Sequence, residues 1–77
     1  MSGDTVREQL QAELVEVDND LAGVRRNAAQ ARGGVGEADD PTDRGALIQG
    51  ADEQDEIADQ LTARREDLLR RLAEAGT

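Results

Sequence analysis

Two long stretches of helical apolar spacing, separated by one short break, constrain this chain more than any other feature. In each stretch, apolar residues recur in steps of three and four, which is typical of helices that pack along a narrow seam. The first stripe comprises Leu10, Leu14, Val17, Leu21, Val24, Ala28 and Ala31. The second comprises Leu47, Ala51, Gln54, Ala58, Leu61, Arg65, Leu68, Leu72 and Ala75, flanked by Ile48, Ile57 and Leu69. Gln54 and Arg65 interrupt the apolar character of this second stripe.

Local signals predict where the first helix begins and ends. Thr5 and Glu8 have the spacing of a capping box, in which each side chain satisfies a backbone N–H of the first turn. Gly33 and Gly34 follow the last apolar position, and glycine enters the left-handed conformation of a helix C-cap without strain. These signals predict a helix over about residues 5–33 and a loop over about residues 34–39.

The second helix has a well-marked beginning. Asp40 is suited to the N-cap, Pro41 to the first helical position, and Asp43 to the first turn, where negative charge favours the helix dipole. The apolar spacing then continues to Ala75, before Gly76. A second helix is therefore predicted over about residues 40–75.

Two amphipathic helices joined by a short loop predict an all-α fold, an antiparallel two-helix hairpin of coiled-coil type. Residues 1–77 then form one domain. Folding the helices together places Leu10 near Leu68, and Leu21 near Leu61. The large aliphatic residues gather at the open end and middle, whereas alanine and glycine line the half that ends in the loop. Fewer apolar contacts predict a more mobile tip.

The residue types that are missing exclude several kinds of protein. The sequence contains no Cys, His, Phe, Tyr or Trp. It therefore offers neither a disulfide, nor the usual Cys/His zinc ligands, nor an aromatic platform for nucleobases. No serine or threonine has an evident general base beside it, and no phosphate-binding loop follows a strand. We expect a protein that is not an enzyme and that uses no cofactor and no metal.

The charge of the chain is strongly acidic and unevenly placed. The net charge is −9, and nine acidic residues but a single Arg lie between Glu37 and Asp59. Such a chain repels nucleic acid and favours a basic partner surface. The sequence shows neither the apolar core of a signal peptide nor a stretch long enough to cross a bilayer, so we expect a soluble cytoplasmic protein.

A lone hairpin of this length has a small core. Pairing two hairpins into a four-helix bundle would also bury apolar residues on the flanks of the seams. These flank residues are Val15, Ile48, Ile57 and Leu69. Homodimerisation is therefore one expected source of additional burial, and docking into a different partner is the other.

The loop and the first turn of the second helix form the main candidate site. We refer to its five residues as the tip: Asp39, Asp40, Asp43, Arg44 and Gly45. Carboxylates alone can hold Mg²⁺ or Ca²⁺, but the spacing here is not that of an EF-hand loop. Helix capping and solvated charge account for these carboxylates more simply than a metal site does.

A second acidic patch comprises Asp52, Asp55 and Glu56. These residues offer a contact surface for a basic groove, although a solvated helix face is the simpler interpretation. Later in the same helix, Arg64-Arg65 and Arg70-Arg71 alternate with acidic residues. That alternation predicts ion pairs within the helix.

The segment Asp40-Pro41-Thr42-Asp43-Arg44-Gly45-Ala46 resembles the coiled-coil tip of the DksA/TraR transcription factors. The family motif is D-x-x-D-x-A, often D-P-x-D-R-A, between two long helices. The two aspartates of the motif correspond to Asp40 and Asp43, and Gly45 stands where the family has alanine. The zinc finger of the family, which needs four cysteines, has no counterpart in this sequence.

This resemblance implies a function and a partner. Family members insert the hairpin into the secondary channel of RNA polymerase, where the tip carboxylates act near the catalytic centre and alter the stability of initiation complexes. The corresponding expectation is a transcription regulator that binds RNA polymerase through its tip. Two alternatives remain open: a homodimeric helical-bundle adaptor, and an acidic inhibitor of a basic groove.

Overall fold

The chain folds into a two-helix hairpin. The computed structural model describes residues 2–76, with α1 over Ser2–Val35 and α2 over Pro41–Ala75. The helices run antiparallel, and their Cα atoms occupy a rod of 60 × 14 × 12 Å. The predicted all-α hairpin is confirmed, and residues 2–76 contain no strand. Met1 and Thr77 of the predicted 1–77 domain lie outside the described residues.

The boundaries predicted for α1 were too narrow at both ends. The helix begins at Ser2, so Thr5 lies inside it and is not its N-cap, and Asp4 supplies the negative charge of the first turn. The helix also continues through Gly33 and Gly34. No glycine in residues 2–76 has a positive φ, and the amides of Glu37 and Ala38 instead donate to the Gly34 carbonyl oxygen, each at 3.1 Å.

The beginning of α2 follows the sequence signals closely. Asp40 is the N-cap, with extended backbone angles, and its Oδ1 accepts a hydrogen bond from the Thr42 amide at 2.9 Å. Pro41 occupies the first helical position, where no amide hydrogen is needed. The Arg44 amide then closes the first helical turn onto the Asp40 carbonyl oxygen at 3.0 Å. At the other end, α2 stops at Ala75, as predicted.

The hydrophobic core occupies the open end and the middle of the rod. Its buried centre consists of Leu10, Val17, Leu21 and Leu68. The partly buried residues packed around them are Leu14, Ala58, Leu61, Leu72 and Ala75. Leu68 has no exposed surface, so it is the most deeply enclosed large side chain. The predicted proximity of Leu10 to Leu68 and of Leu21 to Leu61 agrees with this single cluster.

The half of the rod next to the loop is packed through small residues. Ala28 and Ala51 are buried there but belong to no cluster of large side chains. Gly34 lies so close to α2 that a Cβ atom on it would be 3.3 Å from Leu47 Cδ1. We call this region the tip half and the leucine-rich region the base half. Small side chains allow the helices to approach closely but bury little apolar surface per residue.

Opposite charges face each other along the two helices. In α1, residues 4–20 include six acidic residues and one Arg, whereas residues 25–32 include three Arg and no acid. In α2 the acidic half comes first, at residues 41–60, and four Arg follow at residues 64–71. An antiparallel pairing therefore sets acid against base at both ends, whereas a parallel one would oppose like charges.

Among the residues that the structure describes, three interhelical ion pairs follow this charge pattern. Arg64 Nη2 lies 2.9 Å from Glu13 Oε2, Arg65 Nε lies 2.7 Å from Asp18 Oδ1, and Arg32 is paired with Asp55. The prediction of pairs within the helix is also confirmed, since Asp67 forms ion pairs with Arg64, Arg70 and Arg71. Arg64 and Arg65 thus link the helices as well, a role that the alternation of charges within α2 did not indicate.

Candidate functional site

The tip presents its carboxylates to solvent at one end of the rod. Asp39 and Asp40 belong to the loop, residues 36–40, and Asp43 lies in the first turn of α2. All three residues are exposed, and none forms an ion pair among the described residues. Asp40 is fixed by its N-cap hydrogen bond, so the backbone at the tip is ordered by the start of α2.

The remaining two tip residues are a cation, Arg44, and a residue without a side chain, Gly45. Arg44 Nη2 donates to the Asp39 carbonyl oxygen at 3.4 Å, so its guanidinium folds back over the loop. Gly45 is exposed, and a Cβ atom there would meet no atom within 4 Å. The five predicted tip residues therefore share one end of the molecule, with three carboxylates against one guanidinium.

The second acidic patch is divided by the fold. Asp52 and Glu56 are exposed on α2, but Asp55 turns toward α1 and pairs with Arg32. The hydrogen bond from Arg32 to Asp55 and the attraction between the two charges raise the pKa of the Arg32 guanidinium. Asp55 is consequently engaged in holding the helices together, and a partner would meet Asp52 and Glu56 first.

The carboxylates do not converge on a metal site. Within the part of the chain that the structure describes, no three acidic side chains are placed to hold a metal ion together. The tip carboxylates instead face outward, an arrangement suited to contact with an external surface. What the tip can supply chemically is negative charge and hydrogen-bond acceptors at the narrow end of a rod.

An open groove on one side of the rod was not anticipated from the sequence. It lies between the helices near the middle, has a volume of about 420 Å³ and is floored by Leu21. Its other lining residues are Asp18, Ala22, Arg25, Thr62 and Arg65. Arg65 is an interruption of the apolar seam, and its guanidinium reaches outward to Asp18 instead of filling the seam. The polar residue Arg65 within the apolar stripe was the sequence feature that could have indicated this groove.

Neither described helix contains a segment apolar enough to cross a membrane. No family model matches the chain, and no similar protein was found among curated proteins or solved structures.

Proposed function

We propose that this protein is a non-catalytic, cytoplasmic transcription regulator that inserts its acidic tip into the secondary channel of RNA polymerase. The observation that supports the proposal best is the position of Asp39, Asp40 and Asp43, exposed together at the narrow end of a 60 Å rod. The resemblance of residues 40–46 to the DksA/TraR tip names the partner. The rod supplies reach, and the carboxylates supply charge at its end.

The shape of the hairpin agrees with insertion into a narrow passage. The Cα atoms span only 14 × 12 Å across the rod, and the loop of five residues adds no bulky element at the tip. The carboxylates are attached to the beginning of a long helix, where the capping hydrogen bond fixes the backbone. Few conformations then have to be given up when the tip enters a site.

A binding measurement with purified RNA polymerase tests this proposal. The variant Asp40→Asn/Asp43→Asn removes two charges, yet asparagine at position 40 still caps α2, so the hairpin stays folded. We expect this variant to lose binding and any effect on initiation complexes. Asp52→Asn/Glu56→Gln is the matched control, because it removes the same charge from exposed side-face positions, and it should bind like the wild type. Equal binding by the tip variant would refute insertion of the tip.

A second candidate is an acidic inhibitor that covers a basic groove on another protein. The observation that favours it is the concentration of nine acidic residues and one Arg between Glu37 and Asp59. In this case, binding should weaken steeply as salt is raised. It should also follow the loss of Asp52, Asp55 and Glu56 and be insensitive to the tip pair. The two double variants above therefore distinguish the candidates in one experiment.

A further inference from the structure

A second apolar stripe runs along the outer side of α1. Val15, Ala22 and Ala29 are seven residues apart, so they lie on one line of the helix surface. All three are exposed, and Val15, at 60% exposure, is the most exposed large hydrophobic residue of the described chain. The stripe borders the side groove, because Ala22 belongs to both. We call this surface, with Asp18, Arg25 and Arg26, the groove face.

The charges on the groove face are opposite in sign on the two sides of Ala22. Asp18 lies four residues before Ala22, whereas Arg25 and Arg26 lie three and four residues after it. Among residues whose side chains the structure describes, neither arginine has an ion-pair partner. Asp18 is paired with Arg65 of its own hairpin, and its carboxylate can accept from a further partner. If a second α1 crosses the first in the opposite direction at Ala22, each Asp18 meets the unpaired Arg25 of the other copy. Val15 then meets Ala29.

The exposed area of the hairpin is large for its mass. The chain exposes 5554 Å² at 8.3 kDa. A compact monomer of this mass exposes about 4,600 Å², so the excess is on the order of 1,000 Å². A stable interface of standard size covers about 800 Å² on each partner. Covering the groove face with one additional helical layer would therefore bring the exposed area of each chain close to that of a compact monomer of the same mass.

We propose that two copies of this chain dock antiparallel across the groove face, with Ala22 on the two-fold axis. Val15 of each copy packs against Ala29 of the other, and Asp18 pairs with Arg25 of the other. The interface is isologous, so every contact occurs twice. Small residues at the axis allow α1 to approach α1 closely. The two acidic tips lie at opposite ends of the dimer and remain free.

Self-complementarity favours a second copy over a different partner. The acidic first half and basic second half of α1 match themselves only when reversed, as in a two-fold dimer. The outer surface of α2 lacks this property, because its excess of acid in residues 41–60 far exceeds the excess of arginine in residues 61–76. The proposed dimer is separate from the proposed function of the tip and does not depend on it.

Sedimentation equilibrium of the full chain over a range of concentrations tests the proposal. We expect the wild type to reach twice the chain mass, and Ala22→Glu to weaken dimerisation at least about tenfold, since two glutamates would meet at the axis. Ala63→Glu, on an exposed outward position of α2, is the matched control and should dimerise like the wild type. Circular dichroism checks that both variants remain helical. A strictly monomeric wild type, or an unaffected Ala22→Glu dimer, overturns the proposal.

A mixing experiment tests the antiparallel charge contacts. Asp18→Arg chains would oppose arginine to arginine in a homodimer, and Arg25→Asp chains would oppose aspartate to aspartate. When the two variants are mixed, the arginines at positions 18 and 25 of the first face the aspartates at positions 25 and 18 of the second. Heterodimers should therefore form where each variant alone is weakened. Failure of the mixture to form heterodimers overturns the antiparallel arrangement.

The absence of cysteine from the sequence permits a direct check of the axis. Ala22→Cys should give a disulfide-linked dimer under mild oxidation, because residues on a two-fold axis come within the Cα separation that a disulfide needs. Ala63→Cys should remain uncrosslinked under the same conditions. Equal crosslinking of both variants would indicate random collision and would contradict the proposed axis.

Discussion

The base half and the tip half of the hairpin are built from the same two helices but are held together differently. In the base half, four large buried residues form one cluster, and arginines of α2 reach acids of α1. In the tip half, the buried residues are the small Ala28 and Ala51, Gly34 lies against the Leu47 side chain, and Arg32 pairs with Asp55 across the helices. Buried apolar surface stabilises the base half, whereas close approach shapes the tip half.

This difference separates the stabilising core from the proposed recognition site along the rod. Because the base half contains the large side chains, the tip residues are not required for the core and can serve contacts with a partner. The tip half also buries little surface, so it should open locally at a lower free energy than the base half. Substitutions in the two halves test this division.

Removal of the most enclosed side chain should have the largest effect. Leu68→Ala deletes a side chain with no exposed surface and should lower the free energy of unfolding by about 2–5 kcal/mol. Leu69→Ala is the matched control, since the neighbouring side chain is 40% exposed and should cost much less. Urea unfolding followed by circular dichroism at one fixed protein concentration measures both. Equal losses would contradict the position of Leu68 at the centre of the core.

Enlarging a small residue in the tip half should also destabilise the fold. Ala51 is 1% exposed, so Ala51→Leu forces the helices apart and should cost about 1–3 kcal/mol. Ala46→Leu adds the same atoms at an exposed position of α2 and should be nearly neutral. Thermal unfolding curves would compare them. If Ala51→Leu is stabilising, close approach is not what shapes the tip half.

The adjacent glycines at the end of α1 should respond differently to alanine. Gly33 is helical and has open space at its Cβ position, so Gly33→Ala should raise the free energy of unfolding by about 0.5–1 kcal/mol. At Gly34 the added methyl group would crowd Leu47 Cδ1 at 3.3 Å, which should remove part of that gain. A larger gain at Gly34 than at Gly33 in urea unfolding would contradict the close approach seen at this position.

The smallest expected effect concerns the exposed ion pair of Glu13 and Arg64. Both side chains are 46% exposed, so a double-mutant cycle with glutamine should give a coupling of about 0.2–1 kcal/mol. The coupling should decline in concentrated NaCl because salt screens exposed charges. A coupling that is unchanged by salt would mean that the two substitutions interact through packing and not through charge.

The sequence predicted the elements that follow from strong local rules. The stripe through Leu10, Leu21 and Leu68 identified the core because helical spacing places these residues on facing sides. Asp40 and Pro41 located the beginning of α2 because few residues suit those positions. The tip residues were placed correctly for the same reason, since the start of α2 fixes where the chain reverses.

Local rules failed where contacts between helices decide the outcome. Gly33 and Gly34 were interpreted as a helix end, yet α1 continues to Val35, and Gly34 lies against Leu47 of α2. Likewise, Arg64 and Arg65 were assigned to their own helix, although the opposed charge halves of α1 and α2 already indicated partners across the hairpin. Neither local sequence rules nor contacts between the helices identify a binding partner, because the surface of the partner is not part of this chain.

The capping of α2 by Asp40 has a mechanical consequence for the carboxylates. Because the capping bond joins the loop to α2, the direction of Asp40 and Asp43 is coupled to the rotation of that helix about its axis. Each α-helical residue turns the helix by about 100°. Inserting one residue into α2 between the loop and Ala51 would therefore swing both aspartates to another side of the rod, while the hairpin kept almost the same length.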